Sequence, residues 1–236
     1  MSKKIIALVP AAGIGARARR KSTAAILKPD LPKQYELLNG LPMLRLSVMA
    51  MLADSRIDQV RVIVSPTDTW ANQALRGLER VVWRPVGGAT RAETVRNGLA
   101  DLQATAEDWV VVHDAARPGL PAEALSRLID TCLASDTGGL LAIPVPDTVK
   151  RVADNNAPQV EQTVERDLLW LAQTPQMFKA HELLHALREA EQQNYPVTDE
   201  SSAMELQGMK PILVPGSPRN FKVTWPDDFQ LLEKWL

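Results

Sequence analysis

Ile5-Ile6-Ala7-Leu8-Val9-Pro10-Ala11-Ala12-Gly13-Ile14-Gly15-Ala16-Arg17 decides how this chain is read. An apolar run breaks into small residues and two glycines, and an arginine follows. A strand that ends in such a turn leaves backbone N–H groups unpaired, and those groups bind phosphate. Pro32-Lys33-Gln34-Tyr35 lies just downstream. Arg17 and Lys33 can place positive charge where a departing phosphate develops negative charge. A chain built this way handles nucleotides, and the rest of the sequence must supply a metal ligand and a second substrate site.

Working outward, short apolar runs recur at residues 4–9, 59–65, 80–83, 109–113 and 140–145. Several are rich in valine and isoleucine, as strands buried on both faces should be. Between them, Leu44, Val48, Met51 and Leu52 repeat at helical spacing, as do Val95, Leu99 and Leu102. Pro42 and Pro121 sit where a first helical turn tolerates proline. The βαβα order predicts an α/β fold, a mostly parallel sheet with helices on both faces. The order breaks between Pro146 and Thr174. Residues 147–151 and 159–164 alternate apolar and polar side chains around Asp154-Asn155-Asn156-Ala157-Pro158. That pattern predicts a protruding β-hairpin arm. An isolated hairpin is marginal alone, so the arm is expected to pack on a partner subunit. Helices over 179–192 and 199–207, a strand over 211–214 and a last helix after Pro226 complete the chain. Residues 1–236 read as a single domain, with the arm at 146–174 inside it.

Composition narrows the function class. The chain has 236 residues, 45% hydrophobic and 23% charged, with a net charge of −1. That is globular, and it argues against a broad nucleic-acid-binding face. Basic residues cluster at Arg17, Arg19, Arg20, Lys21 and Lys28. Cys132 is the single cysteine, so no intrachain disulfide forms, and it lies in the helical stripe Leu125, Leu128, Ile129, Cys132, which points to the core. No apolar run is long enough to span a membrane. Lys3 and Lys4 before an apolar stretch imitate a signal peptide, but Pro10, Gly13 and Gly15 interrupt it, and basic residues follow where a cleavage region is small and neutral. The expected location is the cytoplasm.

In open parallel sheets, ligands sit beyond the carboxyl ends of the strands. Four segments fall there: the Gly13 turn, Gly87-Gly88-Ala89-Thr90-Arg91, His113-Asp114-Ala115-Ala116-Arg117-Pro118, and Pro146-Asp147-Thr148. Asp114 follows the most apolar strand. A carboxylate so placed suits Mg²⁺, which takes one or two carboxylates and completes its shell with phosphates and water. Two other motifs compete. Gly13-x-Gly15-x-x-Ala18 fits the loose dinucleotide fingerprint, but no acidic residue ends a second strand about 20 residues on. His181-Glu182-Leu183-Leu184-His185, with Glu205 as a third ligand, matches a zinc-protease pattern. A helical reading buries Ala180, Leu183, Leu184 and Leu187 and puts both histidines with Arg188 on a solvated face, which disfavours zinc.

Pro10-Ala11-Ala12-Gly13-x-Gly15, Pro32-Lys33-Gln34-Tyr35, His113-Asp114-Ala115-Ala116-Arg117-Pro118, Thr198-Asp199-Glu200 and Lys222-Val223-Thr224 occur in this order. From Ile5 onward the chain resembles the 2-C-methyl-D-erythritol 4-phosphate cytidylyltransferase family of the non-mevalonate isoprenoid pathway. The resemblance implies a Rossmann-like nucleotidyltransferase fold and transfer of CMP from CTP to methylerythritol phosphate, with release of pyrophosphate. Related activities on another polyol phosphate such as ribitol 5-phosphate, or a non-catalytic nucleotide-binding homologue, are the alternatives. It implies Arg17 and Lys33 as catalytic residues and Asp114 as the ligand of Mg²⁺ or another divalent cation. Pro10, Ala11, Ala12, Gly13, Gly15, Gly88, Thr94 and Ala115 would bind the nucleotide. Thr148, Arg166, Thr174, Thr198 and Lys222 would position methylerythritol phosphate. In the family the arm swaps across a homodimer, so Thr148 and Arg166 would serve the neighbour's site. The chain departs from the family pattern in a longer, more basic loop over 18–31, and at Ala89 and Thr90, where acidic residues are frequent.

Overall fold

The structure is a computed structural model that describes residues 3–13 and 31–236. The chain runs β1 (Ile5–Ala11), β2 (Leu37–Leu38), β3 (Leu41–Pro42), α1 (Met43–Leu52), β4 (Gln59–Val64), α2 (Ala71–Ala74), β5 (Val81–Arg84), α3 (Arg91–Leu102) and β6 (Trp109–Val112). It continues through α4 (Ala122–Ser135), β7 (Gly139–Pro144), β8 (Val149–Val152), β9 (Val160–Val164), β10 (Trp170–Lys179), α5 (Ala180–Gln192), α6 (Glu200–Leu206), β11 (Ile212–Pro215) and α7 (Pro226–Glu233).

Seven strands form one sheet in the order β11-β7-β10-β6-β1-β4-β5. Every pairing is parallel except those of β10, which runs antiparallel between β6 and β7. Strand alternation sends side chains to two cores. Ala7, Val9, Val62, Val64 and Val111 meet Leu44, Val48 and Met51 of α1 and Leu125 and Leu128 of α4 on one face. Leu8, Ile63, Val110 and Val112 meet Val95 and Leu99 of α3, Leu183 and Leu187 of α5 and Met204 of α6 on the other. Both faces being covered explains why β1 and β6 are apolar throughout and why β4 is apolar at every position but Gln59 and Arg61. Pro42 and Pro121 stand one residue ahead of α1 and α4, as their N-caps.

The strand that the sequence pattern conceals is β10. Gln173, Thr174, Pro175 and Gln176 interrupt it with polar side chains and a proline, residues that argue against a central strand. The structure resolves the conflict with a register break between Ala172 and Gln176 against β7 and a cis Thr174–Pro175 peptide. Trp170, Leu171 and Ala172 therefore belong to the main sheet, paired with Pro144, Ile143 and Ala142. The hairpin proper is β8 and β9, which among the described residues pair only with each other.

After β1 the chain adds β4 and β5 on one side, then places β6 on the other side of β1. Such a reversal opens a crevice beyond the carboxyl ends of the two central strands. The crevice lies between the Ala11–Gly13 end of β1 and the His113–Ala116 end of β6.

Candidate active site

The first wall is the end of β1. Gln34 donates its side-chain amide to the Ala11 carbonyl at 2.7 Å, tying the Lys33–Tyr35 turn to the strand end. Tyr35 donates its hydroxyl to Asp68 at 2.6 Å, and its ring lies 5.7 Å from that of Trp70. These contacts fix the turn, and Lys33 extends from it to donate its ammonium to the Val223 carbonyl at 2.6 Å.

The second wall is the segment before α3. Gly87 hydrogen-bonds the Val64 carbonyl through its N–H at 2.9 Å. A Cβ at Gly87 would stand 2.4 Å from the Ala12 Cβ and 2.7 Å from the Val64 oxygen, so only glycine lets these two loops meet. Thr90 caps α3 by accepting from the Glu93 N–H. Buried Thr94 accepts from the Gly88 N–H at 3.1 Å and donates to the Thr90 carbonyl at 2.8 Å, which shapes the loop at Gly88 and Ala89.

The floor is Asp114. Its backbone N–H donates to the Thr174 hydroxyl at 3.0 Å, and that hydroxyl is 3.1 Å from His113 Nδ1. His113 Nε2 lies 3.0 Å from the Arg117 carbonyl, an acceptor only. The hydrogen-bond pattern therefore assigns the proton to Nε2, so Thr174 donates to Nδ1 while it accepts from Asp114. Burial pushes the His113 imidazole down to about 4, which keeps it neutral. The Asp114 carboxylate accepts from Arg91 Nε at 2.8 Å on Oδ1 and from Lys222 Nζ at 2.8 Å on Oδ2, with Arg117 Nε 3.7 Å away. Burial alone would raise its pKa, but the cations of Arg91, Lys222 and Arg117 outweigh it and hold the carboxyl well below the usual range.

Together these walls enclose a cleft of about 250 Å³ lined by Pro10, Ala11, Ala12, Gly13, Lys33, Gly88, Thr94, Asp114, Ala115 and Lys222, among others. A second cavity of about 280 Å³ adjoins it, lined by Arg117, Gln173, Thr174, Gln176, Thr198 and Asp199. Arg91, Asp114 and Lys222 line both. Two ligands, one in each cavity, would meet at this trio.

The sequence candidates thus converge with three kinds of exception. Gly15 and Arg17, with the basic loop after them, lie outside the described residues. Thr148 and Arg166 are exposed on and beside the hairpin and line neither cavity, although Arg166 bonds the Pro146 carbonyl. His181 and His185 are exposed on α5, and Glu205 accepts from Ser201 at 2.6 Å. No cluster of three metal-ligating side chains occurs among the described residues. Sequence reasoning passed over Arg91 and Arg117, which sat inside quoted segments, and over buried Glu200, which binds Arg91 at 2.7 and 3.0 Å. A single chain gives no signal that these charges face one another across more than a hundred residues.

Comparison with known proteins identifies the family. Residues 5–236 match the family model described as IspD: 2-C-methyl-D-erythritol 4-phosphate cytidylyltransferase. A 2-C-methyl-D-erythritol 4-phosphate cytidylyltransferase of Bordetella petrii is 60% identical over 236 residues, covering 100% of both chains. The fold is similar to that of a solved 4-diphosphocytidyl-2C-methyl-D-erythritol synthase, with a TM-score of 0.84 and 38% identity over 100% of this chain and 99% of that one. It is also similar to a Francisella tularensis 2-C-methyl-D-erythritol 4-phosphate cytidylyltransferase, with a TM-score of 0.82 and 33% identity over 99% of this chain and 100% of that one. This full-length similarity leads to one conclusion: the chain belongs to the 2-C-methyl-D-erythritol 4-phosphate cytidylyltransferase family.

Proposed function

We infer that the cleft is where this chain, as a cytidylyltransferase of that family, joins CTP to methylerythritol phosphate. The triphosphate lies along Pro10–Gly13, and the cytidine reaches Gly88, Thr94 and Ala115. The sugar phosphate occupies the adjoining cavity, against Thr174, Thr198 and Lys222. A phosphate oxygen of methylerythritol phosphate attacks the α-phosphorus in line. The new P–O bond forms as the bond to the β-phosphate oxygen breaks, and its electron pair leaves with pyrophosphate. The products are 4-diphosphocytidyl-2-C-methyl-D-erythritol and pyrophosphate. No general base is required, because a phosphomonoester with a second pKa of about 6 is largely dianionic at neutral pH. No histidine lines either cavity among the described residues. Catalysis is then positioning plus charge neutralisation. Lys33 contributes one cation beside the α-phosphate and Arg17 a second.

The residues present fit a divalent cation. Asp114 is ionised and buried at the floor of the cleft, and a single carboxylate suits a cation that shares its shell with phosphate oxygens. Mg²⁺ held by Asp114 and the triphosphate would offset charge on the phosphates. The observation that carries the reading is the shared trio of Arg91, Asp114 and Lys222 where the two cavities meet.

The chain acts as a homodimer through its arm. Leu168 is 92% exposed, and Trp170 and Leu171 beside it are also exposed, while β8 and β9 have no other strand partner among the described residues. A partner's surface would cover these side chains and bring Thr148 and Arg166 to the neighbouring site. The cytoplasm is the proposed location. No described helix is long and apolar enough to cross a membrane, and Cys132 is a buried free thiol.

Pyrophosphate release from CTP and Mg²⁺ tests the reading, with methylerythritol phosphate, ribitol 5-phosphate or other nucleoside triphosphates in parallel. Release should require CTP and methylerythritol phosphate together. Equal release with ribitol 5-phosphate would assign the chain to a different polyol phosphate.

A further inference from the structure

Thr174 falls in the gap of the β10 ladder. The register with β7 stops at Ala172 and resumes at Gln176, and the register with β6 begins at Gln176. Thr174 is buried, and a buried carbonyl needs a hydrogen-bond partner. It finds one in Asn220, whose side-chain amide donates to the Thr174 carbonyl at 2.7 Å and to Gln173 Oε1 at 3.2 Å. Gln173 is held in that orientation by Ser217: Oε1 accepts from the Ser217 N–H at 3.3 Å, and Nε2 donates to the Ser217 carbonyl at 2.9 Å. Both neighbours of the Asn220 amide nitrogen are therefore acceptors, which fixes the amide's orientation. Asn220 is 0% exposed and lines neither cavity, whereas Thr174 lines the second.

The main chain around Asn220 is held by other bonds. Its N–H donates to the Ser217 carbonyl at 3.0 Å, and its carbonyl accepts from Arg117 at 2.7 Å. Further on, the Val223 N–H donates to the Ala116 carbonyl at 2.9 Å. Loss of the side-chain amide thus falls on Thr174 rather than on the segment that carries Lys222. A buried carbonyl deprived of its donor is costly and turns toward another. The Thr174 hydroxyl, bonded to the Asp114 N–H and to His113, then shifts with its main chain.

We propose that Asn220 is a positioning residue, which stands in for the absent ladder partner of Thr174 and so sets the Thr174 hydroxyl in the sugar-phosphate cavity. The proposal rests on the reading of Thr174 as a contact to methylerythritol phosphate.

Asn220→Ala removes both N–H donors without adding a charge. Its KM for methylerythritol phosphate should rise about five-fold or more, the scale of one neutral hydrogen bond. The KM for CTP should stay within about two-fold, below that scale. Adding Asn220→Ala to Thr174→Val should raise the KM for the sugar phosphate no further, because both act through one hydroxyl. If Asn220→Ala does not fold, Asn220→Ser carries the same comparison. An equal rise for both substrates, or a further rise in the double variant, overturns the proposal. Thr174→Val alone separates the two levels. If its KM for methylerythritol phosphate equals that of wild type, the assignment of Thr174 fails and the role of Asn220 fails with it. If that KM rises while Asn220→Ala leaves it unchanged, only the role of Asn220 fails.

Discussion

Lys33 bonds the backbone carbonyl of Val223 at 2.6 Å, although 190 residues separate them in sequence. The contact joins the turn after β1 to the segment before α7 that carries Lys222. It brings the ammonium to the same cleft as the Ala11–Gly13 strand end and Asp114. Lys33→Ala is therefore expected to cut turnover by about 10²-fold or more, the scale for losing one preorganised donor to the transition state. The fold should persist, because Gln34 and Tyr35 hold the turn independently. Steady-state kinetics beside a circular dichroism melt checks both halves.

The arm makes a prediction about mixing. Arg166→Ala is expected to raise the KM for the sugar phosphate. Combining it with Lys33→Ala should restore activity in hybrid dimers, because one of the two sites then has both wild-type residues. Activity that stays at the sum of the parents, with hybrids shown by native mass spectrometry, contradicts the swap.

His113 sets a pH dependence of stability. Burial pushes its folded pKa down to about 4, below the 6.5 of an ordinary imidazole, so the unfolded chain binds more protons between those values. Stability then rises with pH through that window and falls as the medium is acidified from about 6.5 toward 4. At about 1.4 kcal/mol per pH unit, the loss over the window is about 3 kcal/mol. The depressed carboxylates Asp114, Asp101 and Asp108 act at lower pH. Urea unfolding across pH 4–7 should show this slope, and His113→Asn should flatten it.

Gly87→Ala tests the close approach of the two loops. The added methyl meets the Val64 carbonyl, which belongs to a strand and cannot yield. Destabilisation of about 1–3 kcal/mol is expected, with a raised KM for CTP as the loop at Gly88 shifts. Thermal melts and CTP titration measure the two effects.

What the sequence made legible follows from periodicity. β1 and β6 announced themselves because both of their faces are buried, and α5 because Ala180, Leu183, Leu184 and Leu187 repeat on one side, of which Leu184 is only partly buried. Asp114 was readable because a lone carboxylate ends an apolar strand. β10 was not readable: its polar centre serves the site, where Thr174 organises Asp114 and Gln176 accepts from Ser201 and donates to Asp199, at the expense of strand character. Arg91 and Glu200 were invisible as a pair because their contact depends on α3 and α6 both packing against α5.

The central claim is that the α-phosphoryl group of CTP moves to the sugar phosphate across the Arg91–Asp114–Lys222 junction. The most direct measurement is a single turnover with CTP labelled at the α- or the γ-phosphorus. The account predicts that α-label enters the methylerythritol product and γ-label leaves in pyrophosphate, with both transfers suppressed in Lys33→Ala. Appearance of γ-label in the sugar product would contradict it.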